Sequence, residues 1–379
     1  MLPRHVPITM LLMFTALIVV GQLYLTIPLT NEIAALFAVE PTAATWAATA
    51  FGFAYAIGFL IWGPLSDRFG RRTILVGGLV AMTAVTALLG LSESFPMFMA
   101  GRAAQGFVAA SFPPVALSIV NEALPPSRRP LGVSLISFSF LAAAPLAQFA
   151  AVGVPVSPTA FMLGIAPLYL VMAAGLFLVL PAKNAMPVTS PQGRPQDRHD
   201  GTLFGNPVAI AGWGAALTVL FGFVIFQAGT TMGIGTDFDP QIVRLIGLPP
   251  LALSLFAAPI SKRFGAPVTA RTGLILSATG LAISAIGGNM IALGAICVSG
   301  GVGLAVPGLI ATLSSAASDS NRGLTLSLYT FSLFVGASLA SPVAAALAPA
   351  GAALLYGLPA LLLLITAGGL TFSFGRGTP

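Results

Sequence analysis

Apolar runs about 20 residues long recur from one end of this chain to the other, and nothing else in the sequence constrains the fold as strongly. Read as stretches bounded by charge, Pro or Gly clusters, they predict helices at roughly 8–29, 43–64, 73–92, 96–119, 130–152, 160–180, 208–230, 241–260, 267–287, 290–313, 323–347 and 351–374. The runs are continuous rather than alternating. Helices, which satisfy their own backbone hydrogen bonds in lipid, are therefore expected in place of barrel strands. The eighth run is the least regular, interrupted by Arg244 and by the pair Pro249 and Pro250. Of the 379 residues 57% are hydrophobic and 7% charged, against about 25% charged in a soluble domain. The chain is expected to be an all-α integral membrane protein with twelve transmembrane helices.

The first run is about 22 residues long without a small-residue cleavage site, so it is expected to be a retained helix rather than a signal peptide. Cys297 is the single cysteine and cannot form an intramolecular disulfide. The net charge of +6 does not point to nucleic acid. With both termini in the cytoplasm, every Lys and Arg except Arg102 and Arg244 falls on the cytoplasmic side, so the basic excess is an orientation signal.

One long hydrophilic stretch, PAKNAMPVTSPQGRPQDRHDG at 181–201, is rich in Pro, Gly and charge and is expected to be a cytoplasmic linker, with His199 a solvated loop residue. It divides the chain into an N-terminal six-helix bundle (1–180), a linker (181–207) and a C-terminal six-helix bundle (208–379). An internal repeat supports the division. GPLSDRFG at 63–70 aligns with APISKRFG at 258–265, and RPLGVSLISFS at 129–139 aligns with RGLTLSLYTFS at 322–332, at offsets of 195 and 193 residues. Two matches at nearly one offset, each at the equivalent span, indicate duplicated halves related by a pseudo-two-fold axis, with a pathway between them.

The stretch GPLSDRFGRR at 63–72, placed after the second of twelve spans, resembles the signature loop of the major facilitator superfamily, and span count, loop placement and repeat extend the resemblance over the chain. It implies a secondary transporter working by rocking alternating access. Gly63 would let helix ends approach closely and Gly70 would permit a tight turn. The resemblance implies that Asp67 faces the start of the eleventh span, near Gly323, and that Arg71 pairs with an acid at the inner end of span four, for which Glu122 is available. Together with Arg68 and Arg72 these residues would form a latch that closes the cytoplasmic end in one state and breaks in the other. In the second half Lys262 stands where the first has Asp67, so a second latch is not expected.

Arg102 lies about 9 Å inside the outer end of span four, where an unpaired charge is costly and a functional role is the default reading. Gln105 shares its face, and R-x-x-Q-G resembles the span-four motif of proton-coupled drug antiporters. No Asp, Glu or His lies in the middle of a span. Glu32 is the best carboxylate for protons, through expected partial burial at the end of span one. Gln22, Tyr55, Gln148, Gln227 and Tyr329, with Thr230 and Thr231, are the central polar side chains, suited to a cavity for amphipathic molecules or to interhelical hydrogen bonds. The span-five pattern G-P-x-x-G-G of drug antiporters is reduced here to Pro145, within Ala144, Leu146, Ala147, Gln148 and Phe149.

The expectation is proton-coupled efflux of small hydrophobic or amphipathic molecules by a monomer in a bacterial inner membrane, with no cofactor and no metal. A sugar or small organic anion carrier of the same fold is the alternative, with Arg102 binding substrate. A transporter-like sensor is a third reading. Neither histidine placement nor any nucleotide, nucleophile-elbow or metal spacing supports an enzyme.

Overall fold

A computed structural model describes residues 5–180, 205–318 and 321–375. Among them every regular element is helical. The first part of the chain forms α1 (His5–Leu25), α2 (Thr30–Phe37), α3 (Pro41–Ala44), α4 (Trp46–Phe69), α5 (Arg71–Gly90), α6 (Phe95–Ala109), α7 (Phe112–Ala123), α8 (Arg129–Gly153) and α9 (Pro158–Val179). The second forms α10 (Pro207–Thr231), α11 (Pro240–Gly247), a 3-10 segment (Pro249–Leu255), α12 (Ala257–Phe264), α13 (Ala266–Ser284), α14 (Met290–Ala316), α15 (Arg322–Leu347) and α16 (Gly351–Gly375). The expected linker lies, for 181–204, outside the described residues; Asn206 already caps α10, accepting from the amides of Val208 and Ala209.

By length and apolarity ten helical stretches can cross a membrane, or eleven if the bent pair Pro240–Leu255 and Ala257–Phe264 is one span. That pair turns by 50°, and the 3-10 segment begins at Pro249 and Pro250, where two consecutive residues lack the amide hydrogen an α-helix needs. The fourth predicted run is likewise divided, α7 beginning at Phe112 just before Pro113 and Pro114. The signature stretch departs from its reading as a loop. Gly63 to Phe69 continue α4, and the turn is confined to Gly70, at φ 92°. Gly265, its counterpart in the repeat, has φ 91°, a conformation that penalises any side chain.

Packing repeats along with the sequence. In the first part α1 lies along α8, α4 along α6 and α5 along α9; in the second, α10 lies along α15, the 3-10 segment along α14 and α13 along α16. Small residues set the closest approaches, since lipid tails offer no hydrophobic drive between helices and backbones must meet. A Cβ on Gly106 would overlap the carbonyl of Phe51, and one on Gly336 the carbonyl of Leu217. The two parts touch along α4 with α15, and along α8 with α11 and the 3-10 segment.

Candidate functional site

Arg102 does not snorkel to a surface: it is fully buried. Its Nε donates to the carbonyl of Ala47 (3.2 Å), Nη1 to Oε1 of Gln105 (2.6 Å) and Nη2 to the carbonyl of Gln22 (2.7 Å), with the guanidinium 4.6 Å from the centre of the Phe51 ring. The amide of Gln105 in turn donates to Oε1 of Gln22 (3.3 Å) and to Thr86 (2.9 Å). The network ties α1, α4, α5 and α6 together inside the first part of the chain. A planar guanidinium, with several donors fixed in direction, satisfies acceptors from three neighbours at once.

A second buried arginine was noted in the sequence as an interruption of the eighth run and, with Arg102, as an exception to the one-sided basic residues, but not as a site candidate. Arg244, 3% exposed, donates to Oε1 of Gln148 (2.9 Å), Oε1 of Gln241 (2.8 Å) and Oγ1 of Thr231 (2.7 Å). Gln148 belongs to α8, so this contact crosses between the two parts. The cost of a charge inside a span applies to Arg244 as much as to Arg102; that signal would have found it.

Other sequence candidates scatter. Tyr55 packs edge-on to Phe59 and Phe334, and its hydroxyl is buried without a hydrogen-bond partner. The hydroxyl of Tyr329 donates to the carbonyl of Val306 (3.2 Å). The Gln227 carbonyl accepts from Thr230 and Thr231, and its side-chain oxygen is unpartnered. Glu32 is exposed in the first turn of α2, so the expected partial burial is absent; α2 buries Ile33 and Ala34 and turns its acid outward.

At the Gly70 end, Arg71 joins Asp67 (3.0 Å) and Glu122 (2.5 Å). Arg72 donates to the carbonyl of Phe177 (2.6 Å) and stacks on its ring, while Arg68 lies 5.4 Å from the ring centre of Phe69. Asp67 remains 66% exposed. Positions where a Cβ would stand on Gly63 and Gly323 have nothing within 4 Å, so the close approach expected at Gly63 is not made in this conformation.

The contacts between the parts are unequal at their two ends. Thr49 donates to the carbonyl of Ser338 (2.6 Å), and a Cβ on Gly52 would overlap the side chain of Ser338. Thr49 lies 20 residues from Phe69 and Gln148 19 residues from Arg129, about 30 Å and 28 Å along their helices, so both contacts sit at the end remote from Gly70. Towards the Gly70 end the parts separate around a cavity of about 530 Å³. Its walls come from α7 and α8 on one side and from the 3-10 segment, α12 and α14 on the other. Arg129, Lys262, Asn121 and five serines supply its polar lining; Val133, Pro307 and Ile310 contribute to the apolar one. None of the predicted pathway residues is among them. Arg129 and Lys262 were visible in the sequence, as orientation signals and as positions in the repeat, Lys262 standing where the first half has Asp67, but neither was read as lining a pathway.

The sequence profile of the Major Facilitator Superfamily matches residues 12–247. The chain belongs to that family. It is similar to the uncharacterized MFS-type transporter YceJ of Bacillus subtilis, 24% identical over 88% of this chain and 87% of the relative. It is also similar to the multidrug export protein EmrB of Escherichia coli, 30% identical over 26% of this chain and 19% of that protein. Among solved structures, the human organic anion transporter MFSD10 superposes with a TM-score of 0.71 at 16% identity, over 97% of this chain and all of that one. The Escherichia coli fucose:proton symporter FucP gives 0.69 at 15% identity, over 98% and 99%. At such identities the two structures establish the shared fold. As a major facilitator this chain is a multi-pass membrane protein of a transporter family.

Proposed function

We propose that this major facilitator moves small amphipathic molecules out of the cell by alternating access, and that the conformation described here faces inward. The carrying observation is the asymmetry between the two ends, joined through Thr49–Ser338 and Gln148–Arg244 at one and parted around a cavity at the other. Rocking the two parts about the aromatic contacts of Tyr55, Phe59 and Phe334 would exchange the open and closed ends. The concentration of basic residues at the Gly70 end supports a cytoplasmic mouth and cytoplasmic termini. Asp67 and Arg71, with Glu122, act as the latch that engages the start of α15 when this end closes; here the latch is undone, with Arg71 held by the two acids.

Two six-helix bundles, 1–180 and 208–379 joined by the linker 181–207, account for the repeated packing. Twelve crossings follow if the bent pair Pro240–Leu255 and Ala257–Phe264 is one span and Arg322–Ser373 counts twice. A single helix of those 52 residues would be about 78 Å long, more than twice the hydrocarbon thickness of about 30 Å, whereas α15 and α16 each pack along α10. Among the described residues no Asp, Glu or His is buried or lines the cavity. Coupled protons would therefore travel on the substrate or through the carboxylates of the latch. A bacterial plasma membrane is the location this reading implies.

The test is flux in proteoliposomes under an imposed pH gradient, comparing a lipophilic cation, an apolar carboxylate and a sugar. Gradient-driven movement of an amphipathic probe supports the reading, and movement of the sugar alone overturns it.

A further inference from the structure

We infer that the cavity between α8 and α12 is a binding site for an amphiphilic organic anion, its acidic group held between Arg129 and Lys262. The inference deepens the transport reading and rests on it for the consequence of binding, though not for the binding itself.

The fold brings these two cations to the lining of one cavity, from α8 and from α12. Lys262 occupies the position of Asp67 in the other copy, and Arg129 that of Arg322. In the first part the acid at this position meets Arg71 (3.0 Å). In the second it is replaced by a lysine, Ala266 and Pro267 stand where Arg71 and Arg72 do, and the lysine lines the cavity opposite the opening turn of α8. Among the described residues neither Arg129 nor Lys262 has an acid paired with it. Arg129 is fixed by its Nε, which donates to the carbonyl of Leu124 (3.1 Å), leaving the rest of its guanidinium to the cavity that it lines.

Orientation in the membrane accounts for basic residues at this end. It does not account for two of them on opposite walls of one cavity with no acid in the lining. Bringing this end together presses like charges towards each other, an arrangement that disfavours closure unless an anion lies between them.

Deeper in the same cavity the Oγ of Ser254, 2% exposed, has no hydrogen-bond partner. A buried hydroxyl left without a partner is costly, and an anionic or polar ligand atom would satisfy it. Ser134 and Ser137 add hydroxyls along the α8 wall, while Val133, Pro307 and Ile310 are apolar. The chemistry that matches is a carboxylate, sulfonate or phosphate monoester on an apolar body small enough for about 530 Å³. With the anion bound, closure of this end is relieved of its charge repulsion, so the ligand itself favours the step that carries it across.

The test is equilibrium binding of radiolabelled 2-naphthalenesulfonate to the full-length protein in phosphatidylcholine nanodiscs, beside proteoliposome flux. The comparison probes are a naphthyl trimethylammonium cation and neutral 2-naphthalenemethanol. Saturable binding of the sulfonate is expected, weakened roughly tenfold by Arg129→Gln or by Lys262→Gln, the scale of one charge-assisted hydrogen bond. Ser254→Ala should weaken it less, and Lys262→Arg should restore it. Arg263→Gln, an equal loss of charge one residue away from Lys262 and outside the cavity lining, should leave binding as in the wild type. Equal weakening by Arg263→Gln, stronger binding of the cation, or displacement of the sulfonate by phosphatidylglycerol in place of soluble anions would overturn the proposal. Sulfonate binding without flux would refute transport and leave the site standing. Flux of the neutral probe without sulfonate binding would do the reverse.

Discussion

The Nε of Arg244 donates to the Oε1 of Gln148 at 2.9 Å, joining α11 to α8 across the two parts of the chain. Gln148 stands within the stretch where drug antiporters carry a glycine-rich pattern, and its own amide nitrogen has no partner. Gln148→Ala should therefore remove a tie made only while the remote end is closed. Such a bond is worth about 1.5–3 kcal/mol when one partner is charged, enough to shift a conformational equilibrium tenfold or more. In a Cys297→Ser background carrying Ser341→Cys on α15, faster labelling from the remote side is the expected result. An unchanged labelling rate would show that the contact does not hold that end.

Gly52 makes a second, steric test of the same end. A Cβ there would overlap Ser338, whose Oγ bonds the carbonyl of Phe334. Gly52→Val should fold nearly normally, because the overlap is with Ser338 across the parts and the neighbour inside the first part is the flexible tip of Leu23 (3.1 Å), but should be unable to close the remote end. Loss of transport with a near-normal melting temperature is expected. Gly106→Val, which forces side-chain atoms against the Phe51 carbonyl inside the first part, should instead lower the melting temperature. Identical behaviour of the two variants would be inconsistent with the interface drawn here.

Arg102 gives a prediction of stability before one of transport. Arg102→Met keeps the bulk but strands the carbonyls of Gln22 and Ala47 and the side chain of Gln105. A loss of about 3 kcal/mol is expected from a broken buried charge network, read as a lower unfolding temperature in detergent. Arg102→Lys should recover part of it, since an ammonium lacks the guanidinium's planar fork. A Met variant as stable as the wild type would show that the network does not hold these helices together.

Asp67→Asn removes a charge that is largely exposed and paired only with Arg71. If Asp67 acts as the proposed latch, insertion and stability should be retained while transport falls, because the acid would then be needed only in the conformation in which the Gly70 end is closed. Full transport by this variant in proteoliposomes would refute the latch. Glu122→Gln, which leaves Arg71 with Asp67 alone, should slow turnover less.

Much of this molecule is legible without coordinates because lipid makes the rules local. A run of 20 apolar residues is a helix wherever it sits, since its backbone has no other partners in hydrocarbon. Gly70 and Gly265 reveal their turns through a conformation fixed within one residue, and the matched offsets reveal the repeat. The pair Pro249 and Pro250 marks the break in the eighth run for the same local reason. The helical course of Gly63 to Phe69 was less visible, because a charged, glycine-containing stretch reads as loop until the packed helix carries it past the apolar core.

Which way each helix turns its faces was decided only by tertiary structure. Arg102 and Gln22 are 80 residues apart, Gln148 and Arg244 are 96 apart, and nothing in either segment alone names the other. Arg129 and Lys262 carry the same charge as the other basic residues of the chain, and their difference lies in the cavity they share. A sequence fixes where a charge enters the membrane profile; the tilt and rotation of packed helices decide whether it meets lipid, a partner or an open pathway, because those are set by contacts between segments far apart in the chain.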